Sequence, residues 1–183
     1  MRQVRLWRRL DMPGHDAAAL TPVGQGWRLE GRAVFRDEGG PPASVTYGVD
    51  LEADWTTRSG VVSGFLGDRT LDHRIERSAD GWRLDGVFQP AVQGLVDLDF
   101  GFTPATNFNH LRRTGLAVGE AREIPVAWFD LGQDGLSLLP QVYERCTASD
   151  HAYRAPTADF EGTIVLDDDG FVRRYADLWT IEG

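Results

Sequence analysis

Between Trp27 and Phe88 the chain is written in short alternating runs. Trp27, Leu29, Ala33 and Phe35 alternate with Arg28, Glu30, Arg32 and Arg36, and Gly31 takes one of the apolar-side places. Val45, Tyr47, Val49 and Leu51 follow, then Val61 to Leu66. Leu71, His73 and Ile75 stand against Asp72, Arg74 and Glu76, and Trp82 and Leu84 come next. A period of two puts successive side chains on opposite faces of a strand. The joints, at 37–42, Gly67-Asp68 and Ala79-Asp80-Gly81, carry the residues that turn a chain back. Phe160 to Leu166, Asp167-Asp168-Asp169-Gly170 and Phe171 to Tyr175 form a further hairpin signal. The pattern predicts a mainly β single domain over 1–183, an antiparallel meander forming a barrel, half-barrel or sandwich. One short helix is placed at 89–95 or around 15–20.

One local echo fits this reading. Gly26-Trp27-Arg28-Leu29-Glu30-Gly31 returns as Gly81-Trp82-Arg83-Leu84-Asp85-Gly86. Six residues do not make a duplication; the same local solution is used twice, with Trp inward, the acid toward water, and Gly admitting a bend or a close neighbour.

Composition removes several classes of function. The net charge of −9 argues against nucleic acid as a partner and against attachment to an anionic membrane. All 19 basic residues are arginine, so Schiff-base and P-loop lysine chemistry is absent. The single Cys146 fits a reducing compartment. The start lacks the apolar region of a signal peptide, and no apolar run is long enough for stable membrane insertion. A cytoplasmic location is expected.

The densest stretch is Asp97-Leu98-Asp99-Phe100-Gly101-Phe102-Thr103-Pro104-Ala105-Thr106-Asn107, running on to Arg112-Arg113. Asp97 and Asp99 alternate with Leu98 and Phe100, which reads as a strand with one wet and one buried face. Pro104, Thr103, Thr106 and Asn107 then lock a bend. Two readings stay open. The arginines pair with surface carboxylates, or they form an anion or polyol site at a pocket mouth.

Other motifs carry little chemistry. The four histidines lack ligand spacing, so no metal site is expected. The Asp167–Gly170 run reads as a hairpin turn rather than a calcium loop. No Walker, GxSxG or dinucleotide motif is present, and no cofactor is expected. Asp97 and Asp99, about 7 Å apart along a strand, are the one pair from which acid–base catalysis could be drawn. The six tryptophans are core aromatics or the lining of a cavity.

The central block, with Arg112-Arg113, resembles the signature of the "putative glycolipid-binding" family, formerly a bacterial domain of unknown function. Trp7-Arg8-Arg9-Leu10-Asp11, Tyr47-Gly48-Val49, Trp55-Thr56-Thr57-Arg58, Gln141-Val142-Tyr143 and Tyr175-Ala176-Asp177-Leu178-Trp179 fit it in order. The resemblance implies a strongly curved antiparallel sheet forming an unclosed or half barrel, akin to bacterial lipoprotein carriers. Two departures stand out. Phe108-Asn109-His110-Leu111 replaces an apolar residue, Pro and Ile, and Ala176 stands where the family often has Pro.

On this basis the expected function is non-catalytic binding of a hydrophobic or amphiphilic small molecule in the concave face of the sheet. Trp55, Phe65, Phe102 and Trp128 are expected to hold the apolar part. Asp99, Asn107, Arg112 and Arg113 would meet a polar or anionic head, with Arg58 and Tyr143 beside them. The alternatives are a small-molecule hydrolase or isomerase using Asp97 or Asp99, and a structural or partner-binding domain with a filled core. The oligomeric state is left open.

Overall fold

The computed structural model describes residues 1–36 and 40–183; the turn expected over Asp37 to Gly39 lies outside these residues. Strands β1 (Gln3–Arg9), β2 (Gly14–Val23), β3 (Gly26–Arg36), β4 (Pro42–Leu51), β5 (Thr57–Leu66) and β6 (Arg69–Ser78) form the expected meander. β7 (Gly81–Leu84) and β8 (Val87–Phe88) end it, and Pro90–Val92 makes a 3-10 turn. β9 (Leu98–Phe100) then leads into helix α1 (Asn107–Thr114). The remaining strands are β10 (Ala121–Glu123), β11 (Val126–Phe129), β12 (Ser137–Leu139), β13 (Val142–Arg145), β14 (Asp150–Ala155), β15 (Phe160–Leu166), β16 (Val172–Tyr175) and β17 (Trp179–Ile181). A second 3-10 turn, Pro156–Ala158, joins β14 to β15. No helix among the described residues is long and apolar enough to cross a membrane.

Strand accounts for 56% of the described residues and helix for 8%, so the mainly β class holds. The expected curvature does not. Fourteen strands lie in one sheet, in the order β10-β13-β14-β15-β16-β17-β1-β2-β3-β4-β5-β6-β7-β8. Its two ends, β10 and β8, do not meet, and no sheet is closed or strongly curled. The expectation of a strongly curved, half-barrel sheet is therefore corrected. The physical reason lies in how the apolar face is covered. A sheet can bury that face by wrapping on itself or by accepting a second layer, and here a second layer does it.

That layer is the small sheet β12-β11-β9, in which β9 and β11 run parallel, together with α1. Leu98 and Phe100 press into the large sheet at Gly60, where an added Cβ would lie 2.5 Å from Leu98 Cδ2. Phe100 and Phe102 stack at 5.3 Å, and both meet the edge of Tyr47. Phe108 of α1 stacks on Phe171 at 4.3 Å and meets Trp55 edge-on at 5.4 Å. A second apolar cluster, around Leu111, Val126, Tyr143, Tyr153, Ile164 and Val172, lies under β13–β16. Gly31 leaves the room that the Tyr47 ring occupies, the close neighbour anticipated for the repeated glycine.

Three local expectations change. Residues 15–20 belong to β2, not to a helix, because Asp16, Ala18 and Leu20 alternate into the core. The one α-helix among the described residues lies at neither place expected for a helix but at Asn107–Thr114. β9 is buried on both faces: Asp97 and Asp99 are 1% and 5% exposed, so the face read as wet is a buried polar layer. Ala176 takes φ 44°, a value the proline ring forbids.

Candidate functional site

α1 is placed by its tertiary contacts more than by propensity. Thr106 sits at its start, but its hydroxyl makes no cap bond. The Thr106 Oγ1 instead accepts from the Phe100 N–H at 3.1 Å and donates to Asp99 Oδ1 at 2.5 Å. The helix ends at Gly115, whose φ of 55° supplies the left-handed cap, with its N–H donating to the Leu111 carbonyl. Asn107 to Leu111 are buried, whereas Arg112 is exposed and Arg113 is half-buried.

The buried side of α1 carries a polar network centred on Tyr143. Gln141 Nε2 donates to Asp99 Oδ2 at 2.9 Å. Its Oε1 accepts from the Tyr143 hydroxyl at 3.2 Å. That hydroxyl in turn accepts from Asn107 Nδ2 at 2.9 Å and lies 2.9 Å from His110 Nε2. With the Tyr143 proton directed to Gln141, His110 is a donor through Nε2, and its Nδ1 has no partner among the described residues. Burial pushes the His110 pKa down, against the pull of Asp99 and Asp97, so the ring is neutral. Burial also pushes the Tyr143 hydroxyl well up. Arg113 closes this region: its Nε and Nη2 reach both oxygens of Asp97, at 2.9 and 2.6 Å. Every carboxylate oxygen of Asp97 and Asp99 thus has a protein partner, in the manner of a tie between β9, α1 and β13.

Beyond the last turn of α1 the surface opens into a cleft of about 550 Å3. Leu111, Leu116 and Leu166 give it apolar walls. Arg112 lies on one side, its guanidinium over the Trp55 and Phe108 rings at 5.7 and 5.9 Å. It makes no hydrogen bond or ion pair among the described residues. Asp168, on the turn after β15, is exposed and likewise unpaired. Arg145 is held differently: its Nε, Nη1 and Nη2 donate to the carbonyls of Thr147, Leu116 and Ala148 at 3.2, 2.8 and 2.8 Å. It fixes the loop at the cleft edge. His151 is buried, and its Nδ1 lies 3.2 Å from the Ser149 carbonyl. Burial lowers its pKa, which leaves a neutral ring whose Nε2 is an acceptor. The cleft therefore offers a free guanidinium, a free carboxylate and a neutral acceptor above leucine walls.

The residues singled out in the sequence fall in separate places. Asp99, Asn107 and Tyr143 are in the buried network, and Phe102 is in the core at 2% exposure. Arg113 is paired with Asp97. Trp128 is half-buried on β11. Phe65 faces outward on β5 at 45% exposure, and Arg58 is exposed with a long 3.9 Å contact to Asp50. Trp55 stacks on Trp27 at 4.8 Å and supports Arg112. Of these residues, Arg112 alone lines the cleft. Arg145, Ser149, His151 and Asp168 were not singled out. They reach the cleft only through the β13–β14–β15 pairing, which no local pattern announces. Among the described residues no cluster of His, Cys, Asp or Glu could hold a metal ion.

The family model described as "Putative glycolipid-binding" matches residues 4–180, and the chain belongs to that family. The fold is similar to the crystal structure of a DUF1089 family protein from Pseudomonas aeruginosa, with 26% identity, a TM-score of 0.79 and 91% of each chain covered. No functionally curated protein matches the chain. Membership places the protein in a family named for binding rather than for catalysis.

Proposed function

We propose that the protein binds a small amphiphile with a hydroxyl-rich head, of the kind a glycolipid carries, in the cleft at the end of α1. The observation that carries this reading is the pairing of an unengaged guanidinium, Arg112, with an unengaged carboxylate, Asp168, across leucine walls. Sugar hydroxyls both donate and accept, so they suit a site that presents both kinds of group. A purely anionic head would gain from Arg112 and lose to Asp168. The buried carboxylates Asp97 and Asp99 support the structure in this reading and take no part in chemistry. The inner face of the large sheet is filled by β9, β11 and α1, so the ligand sits outside it.

The test is native mass spectrometry of the protein purified from its own host, followed by denaturation and analysis of what is released. A lipid or glycolipid adduct is expected. Arg112→Ala and Asp168→Ala should each lose it while remaining folded. An adduct retained by both variants would contradict the assignment of the cleft.

A further inference from the structure

A second concavity adjoins the cleft. It is a groove of about 1060 Å3 with Val4 and Leu6 of β1, Val165 of β15 and Ile181 of β17 in its walls. The cleft and the groove share Ser149, Leu166, Asp167 and Asp168, so one runs into the other over the turn after β15.

The groove exists because β17 is short. It pairs with β1 only at Trp7, Arg8 and Arg9. The half of β1 from Gln3 to Leu6 runs on with β2 on one side. Side chains bridge the gap on the other. Trp7 Nε1 donates to the Val172 carbonyl at 2.6 Å, and Arg5 donates to Asp167 and Asp169 at 2.6 Å each. Val4 and Leu6 are 58% and 42% exposed.

An added peptide strand would find little to pair with here. The Leu6 carbonyl already accepts from the Glu182 N–H at 2.8 Å, and the Val4 carbonyl accepts from Arg5 Nη1 at 2.9 Å. Of the charges around the groove, Arg5 is matched by Asp167 and Asp169, Glu182 by Arg8, and Arg174 by Asp177, while Asp168 and Arg173 have no ion pair among the described residues. Among these charged residues, Val4, Leu6, Val165, Leu166 and Ile181 supply the apolar contact of the groove. We infer that it holds the alkyl chain of the amphiphile whose head occupies the cleft, so that the ligand lies across the Asp167-Asp168 turn with its tail along β1. This inference rests on the proposed reading of the cleft.

The experiment is a calorimetric titration of the full chain with hexyl, octyl and decyl β-D-glucoside, each below its micelle concentration. Burying part or all of each methylene predicts a rise in affinity of about two- to fourfold per methylene. The Val4→Ser/Leu6→Ser double variant should flatten the series, with the decyl compound losing the most affinity and the hexyl compound the least. Val165→Ser, on the opposite wall, should flatten it in part, and urea midpoints check that both variants fold. A steep series that survives in both folded variants would overturn the inference by putting the chain elsewhere. A flat series in the unaltered protein would overturn it too while leaving the cleft reading intact. No binding of any glucoside would overturn both.

Discussion

Arg113 turns inward from α1 and meets both oxygens of Asp97, a carboxylate that is 1% exposed. Arg112, one residue earlier, turns outward and lies over Trp55 and Phe108 with no carboxylate of the described residues against it. One step along a helix is a rotation of about 100°. That rotation separates a guanidinium locked inside the fold from one open to a ligand. The same division holds for the two regions at large. On the inner side of α1 every oxygen of Asp97 and Asp99 has a partner, although the Asn109 amide and His110 Nδ1 have none among the described residues, and the cleft at the helix end has charged groups left over.

The largest test of this comparison is Arg113→Ala. It leaves the Asp97 charge buried and alone, and the expected loss is about 3 kcal/mol or more in urea unfolding. Arg112→Ala should stay within about 0.5 kcal/mol in the same assay. Equal losses would erase the distinction.

Asp16 sharpens the comparison, because it is a buried carboxylate without a cation. The Tyr47 and Thr103 hydroxyls both donate to its Oδ2, and Oδ1 has no partner among the described residues. Burial raises its pKa from 3.8 to about 6, against those hydrogen bonds. The folded state therefore holds this proton more tightly than the unfolded state does. The stabilisation is full below about pH 4 and is lost as pH rises through about 6, by about 3 kcal/mol in all. Urea midpoints of Asp16→Asn should show a flatter profile than the unaltered protein between pH 4 and 8. An unchanged profile would show that another group sets it.

Tyr143→Phe is the next smaller test. It leaves Asn107, His110 and Gln141 without their shared hydroxyl, and about 1–3 kcal/mol should be lost on chemical denaturation. The smallest effect on stability and the largest on binding should come from Arg112→Ala, with glucoside affinity falling at least about tenfold by calorimetry, which is about 1.4 kcal/mol.

Much of the architecture was legible in the alternating runs. The meander from Trp27 to Leu84 and the hairpin through Asp167–Gly170 follow the strands the pattern predicts, because each carries its own period and its own turn residues. α1 was not legible. Asn107, Asn109, His110 and Thr114 are weak helix formers, and the helix forms because Phe108 and Leu111 are needed in the two apolar clusters. The burial of Asp97 and Asp99 was hidden for a different reason. Alternating acids look the same in sequence whether they face water or a buried ring of donors. Of the cleft, only Arg112 could be named in advance, since Arg145, His151 and Asp168 come from segments that meet through sheet pairing.

The most direct test of the central claim is a map of backbone amide shifts as octyl β-D-glucoside is titrated into the isotope-labelled protein. Shifts should concentrate at Gly115, Leu116, Ser149, Asp168 and Gly170, around the cleft, and be lost in Arg112→Ala. Shifts centred instead on Phe65 and the outer face of β5, or on β9 inside the fold, would contradict that claim.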